Sequence, residues 1–154
     1  MTNWNEFEKQ APDIAAAGWR LLQADGIAIG FLATVTRHGR PRMAPVCPIF
    51  ANGSMYLSVG THTPKLDDLT RNGFYVLHAF LGQDDEEFQM SGRAVEITDQ
   101  SERVSIHSAI RFGAYDTGDP IFKLLLERCL WVTWENAGKP GTRSIYRRWK
   151  ASSI

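Results

Sequence analysis

Two short stretches carry side chains whose types and spacing suit the capture of an anion. The first is Arg42-Met43-Ala44-Pro45-Val46-Cys47-Pro48, a strand-like run that begins on a cation and whose prolines cannot donate to a β-ladder. A strand with such gaps is an edge, or it turns its remaining N–H and C=O groups toward something other than a strand. A planar heteroaromatic with hydrogen-bonding edges would suit those groups. The second stretch, Thr61-His62-Thr63-Pro64-Lys65, has the composition of a helix mouth. Thr63 suits the N-cap, Pro64 the first helical position, and Lys65 puts a full charge on the first turn. The first N–H groups of a helix are unpaired and partly positive, which seats phosphate readily. Each stretch alone also has a plain structural explanation, a capped surface helix and a proline-guarded edge. Their placement in and just after one three-strand meander favours the chemical reading, because Arg42, Thr63 and Lys65 can then converge on one anion.

The elements that must position them follow from periodicity. One helix is expected from Asn3 to Ala24, with Asn3 and Glu6 as a capping pair and Pro12 starting a new turn. Asp25-Gly26 should stop it. From Ile27 to Thr36 the period becomes that of a strand, with Ile29, Phe31, Ala33 and Val35 on one face. Arg37-His38-Gly39-Arg40 turns into a second strand from Pro41 to Phe50, and Ala51-Asn52-Gly53-Ser54 turns into a third, Met55 to Val59. A short helix from Pro64 to Arg71 should end near Asn72-Gly73. Strands are expected over Phe74–Leu81 and Phe88–Ile97, separated by a solvated acidic loop at 82–87, with Gly92 marking a bulge or a close approach. Asp99 and Glu102 should cap a helix reaching about Ile110, and Arg111–Gly118 should be loop. Asp119-Pro120 is expected to open another helix to about Arg128, followed by strands at Leu130–Trp134 and Ser144–Trp149. Sequential antiparallel strands with helices at their ends imply a mainly β fold, a closed or split barrel, over a single domain spanning 1–154.

The bulk composition narrows the function classes. A chain of 154 residues, 44% hydrophobic and 22% charged, is ordinary for a globular protein and not for a disordered one. Its 17 basic and 17 acidic residues balance, which argues against nucleic-acid binding, although Arg147-Arg148 with Lys150 could form a local basic patch. Two cysteines, Cys47 in a strand-like run and Cys129 at a helix-to-strand junction, read as buried thiols and not as a disulfide framework. The N-terminus lacks the signature of a signal peptide and no apolar run suits a membrane span, so a cytoplasmic location without membrane contact is expected. His38, His62, His78 and His107 share no metal-ligand spacing, and no serine–histidine–acid set stands out. No metal ligand and no catalytic residue is assigned.

The order Leu32-Ala33-Thr34-Val35, then Gly39 to Val46, Met55 to Val59, Thr63-Pro64-Lys65, Leu69 to Val76 and Met90-Ser91-Gly92-Arg93-Ala94 resembles the pyridoxamine 5′-phosphate oxidase-like, FMN-binding split barrels. The likeness covers about residues 27 to 97, more loosely to the end. It implies FMN with its phosphate on Arg42, Lys65 and the Thr63 hydroxyl, Pro64 within the same cofactor-binding segment, its ring along Met43, Ala44, Pro45 and Val46, and Ser58 and Val59 near the ribityl or phosphate. It also implies a homodimer with the cofactor at the interface, a small-molecule substrate and a redox reaction. Trp131, Trp134 and Trp149 become candidates for ring or interface packing. The C-terminal basic and histidine motif of true pyridoxamine-phosphate oxidases has no counterpart here, so that reaction is not implied. The alternatives are a deazaflavin-dependent reductase and a non-catalytic flavin- or haem-binding protein; haem, through His62 or His107, is the weakest of them.

Overall fold

The computed structural model describes residues 1–23, 26–111 and 116–152. Asn3 accepts the Glu6 N–H at 2.9 Å and starts α1, Trp4–Gln10. Ala11 then leaves helical geometry, as the residue before a proline tends to, and Pro12 opens a separate helix, α2, Pro12–Leu22. The single N-terminal helix expected from the pattern is therefore two. Its expected last residue, Ala24, and the stop residue Asp25 lie outside the described residues, whereas Gly26 takes the positive φ (77°) foreseen for it.

The strands are β1 (Gly30–Val35), β2 (Pro41–Val46), β3 (Ile49–Ala51), β4 (Ser54–Ser58), β5 (Phe74–Ala79), β6 (Glu87–Glu96), β7 (Ile121–Glu135) and β8 (Arg143–Lys150). Helix α3 (Pro64–Asn72) ends on Gly73 in the left-handed conformation, and α4 (Gln100–Ser108) is capped by Asp99, which accepts the Glu102 N–H. All pairings are antiparallel, in the order β2-β1-β5-β6-β7-β4-β3, with β8 added along β7. The two ends of that path, β2 and β3, are joined only by Cys47 and Pro48. The ends must therefore meet, and the sheet curls into a split barrel. The expected second strand, Pro41 to Phe50, is in fact these two pieces. The first pairs with β1 and the second with β4, and the break falls at buried Pro48, which has no N–H to offer.

The largest departure from the sequence pattern is β7. Residues 121–128, expected as a helix, continue without a break into a long strand paired with β4, β6 and β8. Cys129 thus sits in mid-strand, buried, and burial pushes its thiol well above the usual range. A smaller difference concerns faces. Phe31, Ala33 and Val35 do share a face of β1, but it is the outer, half-exposed one, while Gly30, Leu32 and Thr34 point into the barrel. In β4 the face opposite Met55 and Leu57 is covered too: Tyr56 is buried under α4, where its hydroxyl donates to Glu102. The main core is filled by Phe7, Leu22, Leu32, Met55, Leu57, Leu77, Phe88, Met90, Leu124 and Leu126.

The acidic loop is not merely solvated. Arg20 of α2 makes two hydrogen bonds to Glu86, at 2.9 and 2.8 Å, and the Trp131 indole N–H donates to the same carboxylate at 2.7 Å. These bonds, the Arg20 pair foremost, hold the Glu86 carboxyl below its usual value of 4.5. A carboxyl whose folded value is lowered stabilises the fold above its unfolded value and loses that contribution as pH falls through the folded one. The wild-type urea midpoint should therefore drop more steeply below pH 4.5 than that of Glu86→Gln. Parallel profiles would show that the loop's tie to α2 contributes nothing to acid sensitivity.

Candidate functional site

The site expected from the sequence falls where the barrel splits. β3 and β4 pair with Ile49 opposite Tyr56 and Phe50 opposite Met55. Carried on, that register would set Cys47 across from Ser58 and Val46 across from Val59, but the pairing stops at Ile49. Beyond the stop, β2 pairs only with β1 among the described residues, and its other edge faces no described strand. The chain after β4 turns instead toward β7: the Val59 N–H donates to the Pro120 carbonyl at 2.9 Å, and the Thr61 N–H to the Asp119 carboxylate at 3.3 Å. This divergence makes a seam with β2 on one side and residues 58–65 on the other.

Arg42 is fixed at that seam. Its Nε donates to Asp68 Oδ2 at 2.8 Å, and the same oxygen accepts the Thr34 hydroxyl at 2.8 Å. Asp68 is 1% exposed and has Arg71 3.6 Å away on its other oxygen. Thr34 lies directly opposite Arg42 in the β1–β2 ladder, so strand register and helix α3 jointly set the guanidinium's position. With Nε committed, the other N–H groups of Arg42 remain to meet an anion. Asp68 and Thr34 are the positioning residues missed by sequence reasoning; the available signal was that Lys65 and Asp68, three apart, share a face of α3. That spacing brings Lys65 to the side of α3 that holds Arg42. Lys65 is half-buried and has no ion-pair or hydrogen-bond partner among the described residues.

The other expected site residues divide. Ser58 ends β4, and its hydroxyl oxygen is buried with no hydrogen-bond partner among the described residues. Thr63 occupies the N-cap position of α3 but makes no side-chain cap; its hydroxyl donates to the Gly60 carbonyl at 2.8 Å. Pro64 is exposed at the first helical position. On β2, Met43 and Pro45 point outward, Met43 being 69% exposed, while Ala44 is half-buried. Val46 and Val59 give their side chains to the core, so only their backbone borders the seam. The tryptophans have partners within the framework: Trp131 on Glu86 and under the Arg147 guanidinium, Trp134 on the Asp85 carbonyl, and Trp149 against Phe7.

The described residues contain no helix long and apolar enough to cross a membrane. No protein-family model matches the sequence, and no curated protein matches it. Solved structures do match its fold. One is a protein related to general stress protein 26, of the pyridoxinephosphate oxidase family, from Clostridium acetobutylicum; the TM-score is 0.64 at 14% identity, over 88% of this chain and 92% of that one. A second is a pyridoxamine 5′-phosphate oxidase-related, FMN-binding protein from Nostoc punctiforme, with a TM-score of 0.62 at 13% identity, over 99% and 98% of the two chains. A third is a haem-binding protein from Mycobacterium smegmatis, with a TM-score of 0.59 at 19% identity; 86% of this chain spans 57% of that longer one. The chain has the split-barrel fold of the pyridoxamine 5′-phosphate oxidase-related, FMN-binding proteins.

Proposed function

We propose that the protein is a flavin-binding oxidoreductase that seats FMN at the barrel seam and acts on a small-molecule substrate. The observation that carries this reading is the buried, unpartnered Ser58 hydroxyl beside the segment bearing the unpartnered Lys65. A buried hydroxyl without a partner costs about 1–3 kcal/mol, which a ligand oxygen would remove. Arg42 and Lys65 meet the phosphate as charge-assisted donors, with the N-terminal turn of α3 adding partial positive charge. Met43 to Val46 border the ring with the open edge of β2, where Pro45 leaves no N–H. FMN supplies the electron or hydride transfer when bound, and the protein's part is binding, orientation and exclusion of water.

The reading includes a homodimer. The outer face of β1, β2 and β5 sets Met43 beside Ala33 and Val76, and Pro45 beside Phe31, in alternate ladder pairs. Phe74 on the same face is 55% exposed. An apolar patch of this kind next to the seam, bordered by His78 beside Phe31 and by Arg93 over the Phe74 ring, suits a second copy that would cover both. The haem-binding neighbour supports one other reading, in which exposed His62 on the seam segment ligates iron.

The purified protein should sediment as a dimer and carry flavin absorbance, or acquire it with added FMN. Lys65→Ala with Arg42→Ala should weaken FMN binding by about a hundredfold, as expected for losing two charge-assisted contacts. Unchanged affinity in the double variant would overturn the phosphate assignment. A Soret band in place of flavin bands would favour haem, and a preference for deazaflavin in parallel titrations would replace FMN with that cofactor.

A further inference from the structure

The outer face of β6, β7 and β8 carries a second polar constellation, with no hydrogen bond or ion pair to the seam residues. Two ladder rows run across it, separated by the Met90–Cys129–Trp149 row, whose side chains are buried on the other face. One places Ser91, Arg128 and Lys150 side by side; the other places Gln89, Leu130 and Arg148. Together they line a groove of about 390 Å³. Arg128 faces Lys150 directly, and like charges opposite each other in a ladder repel. In a chain whose formal charge is zero, this local concentration is not a by-product of an overall basic surface.

Few acids neutralise it. Glu127 comes within 3.8 Å of Arg128, and Glu87, on the same face of β6, lies 4.0 Å from His78. Arg148 stacks on Tyr146 at 4.8 Å and has no ion-pair partner among the described residues, nor has Lys150. A guanidinium held by its ring neighbour keeps its N–H fork free for an oxyanion. Gln89 and Ser91 add neutral donors, and Leu130 gives the floor an apolar part.

We infer that this groove binds a small organic anion carrying at least two acidic groups, a phosphate ester or a di- or tricarboxylate. Arg128 and Arg148 clamp one oxyanion each, and Gln89 and Ser91 fix the orientation. The inference does not rest on the flavin reading, since none of Gln89, Ser91, Arg128 and Arg148 is among the seam residues of the chain.

Calorimetric titration of the intact protein with citrate and with pyrophosphate, at constant ionic strength, tests it. Saturable binding of either probe is expected, weakened about tenfold or more in Arg128→Gln with Arg148→Gln and unchanged in Lys65→Ala. Arg148→Gln alone, at an exposed edge-strand position, gives the same comparison should the double variant not fold. Preference for citrate or for pyrophosphate names the acid group. No saturable binding, or binding equal in the arginine variants, overturns the inference, as does a loss confined to Lys65→Ala. Self-association of the arginine variants with anion binding intact would overturn it too, and would make the cations edge guards.

Discussion

Gly92→Ala is expected to lower the unfolding free energy by about 3 kcal/mol, the upper end for an added methyl and more than most point substitutions. A Cβ at Gly92 would stand 1.9 Å from the Leu125 carbonyl oxygen and 3.0 Å from the Glu127 nitrogen, both backbone atoms of the neighbouring strand. No side chain can swing aside to relieve that contact. The ladder between β6 and β7 shifts register between Ser91 and Gly92, and the freed Leu125 carbonyl accepts the Tyr75 hydroxyl at 3.1 Å. Tyr75 pairs with Gly92 from the other side, so its side chain reaches β7 across the bare Cα. Burial raises that hydroxyl's pKa well above its ordinary value, so it stays a donor over the working pH range. Tyr75→Phe should cost only about 1 kcal/mol, for one neutral hydrogen bond. Urea midpoints at an unchanged slope would measure both. A Gly92→Ala loss no greater than that of Tyr75→Phe would mean that the bulge relaxes and does not pin the two strands.

The bulge, the helix caps at Asn3 and Asp99 and the glycine stop at Gly73 were legible because each is a local rule, settled within a few residues of sequence. β7 was not legible, for the complementary reason. Asp119-Pro120 has the form of a helix start, and Leu124-Leu125-Leu126-Glu127-Arg128 is built from good helix formers. Three neighbouring strands overrule that propensity, and no single-sequence pattern announces them. The same limit hid the break at Pro48 and the outward direction of Phe31, since β1 is apolar on both faces. For the site, the two segments could be named from residue type alone. The seam that parts them depends on where β3 stops pairing with β4, and Asp68, which ties Arg42 to α3, looked like one more acid on a surface helix.

Asp68→Ala is therefore the variant that joins fold to site. It would leave the buried Thr34 hydroxyl without its acceptor and release both Arg42 and Arg71. Breaking a fully buried ion pair costs roughly 3–5 kcal/mol. Arg42 and Arg71 are each about one-third exposed, so water takes over part of their charge and the expected loss is about 2–3 kcal/mol. Asp68→Asn keeps an acceptor oxygen for Thr34 and should lose less. The second consequence separates structure from function. If Arg42 owes its position at the seam to Asp68, FMN binding should weaken about tenfold in Asp68→Ala, measured at a temperature where the variant is fully folded. Adding Arg42→Ala to Asp68→Ala should then weaken it little further, because the two changes act through one guanidinium. A fully additive pair would show that Arg42 reaches the phosphate without help from α3. Unaltered binding in Asp68→Ala would confine the carboxylate to holding Thr34 and α3 against the barrel, and leave the phosphate to Lys65 and the first turn of the helix.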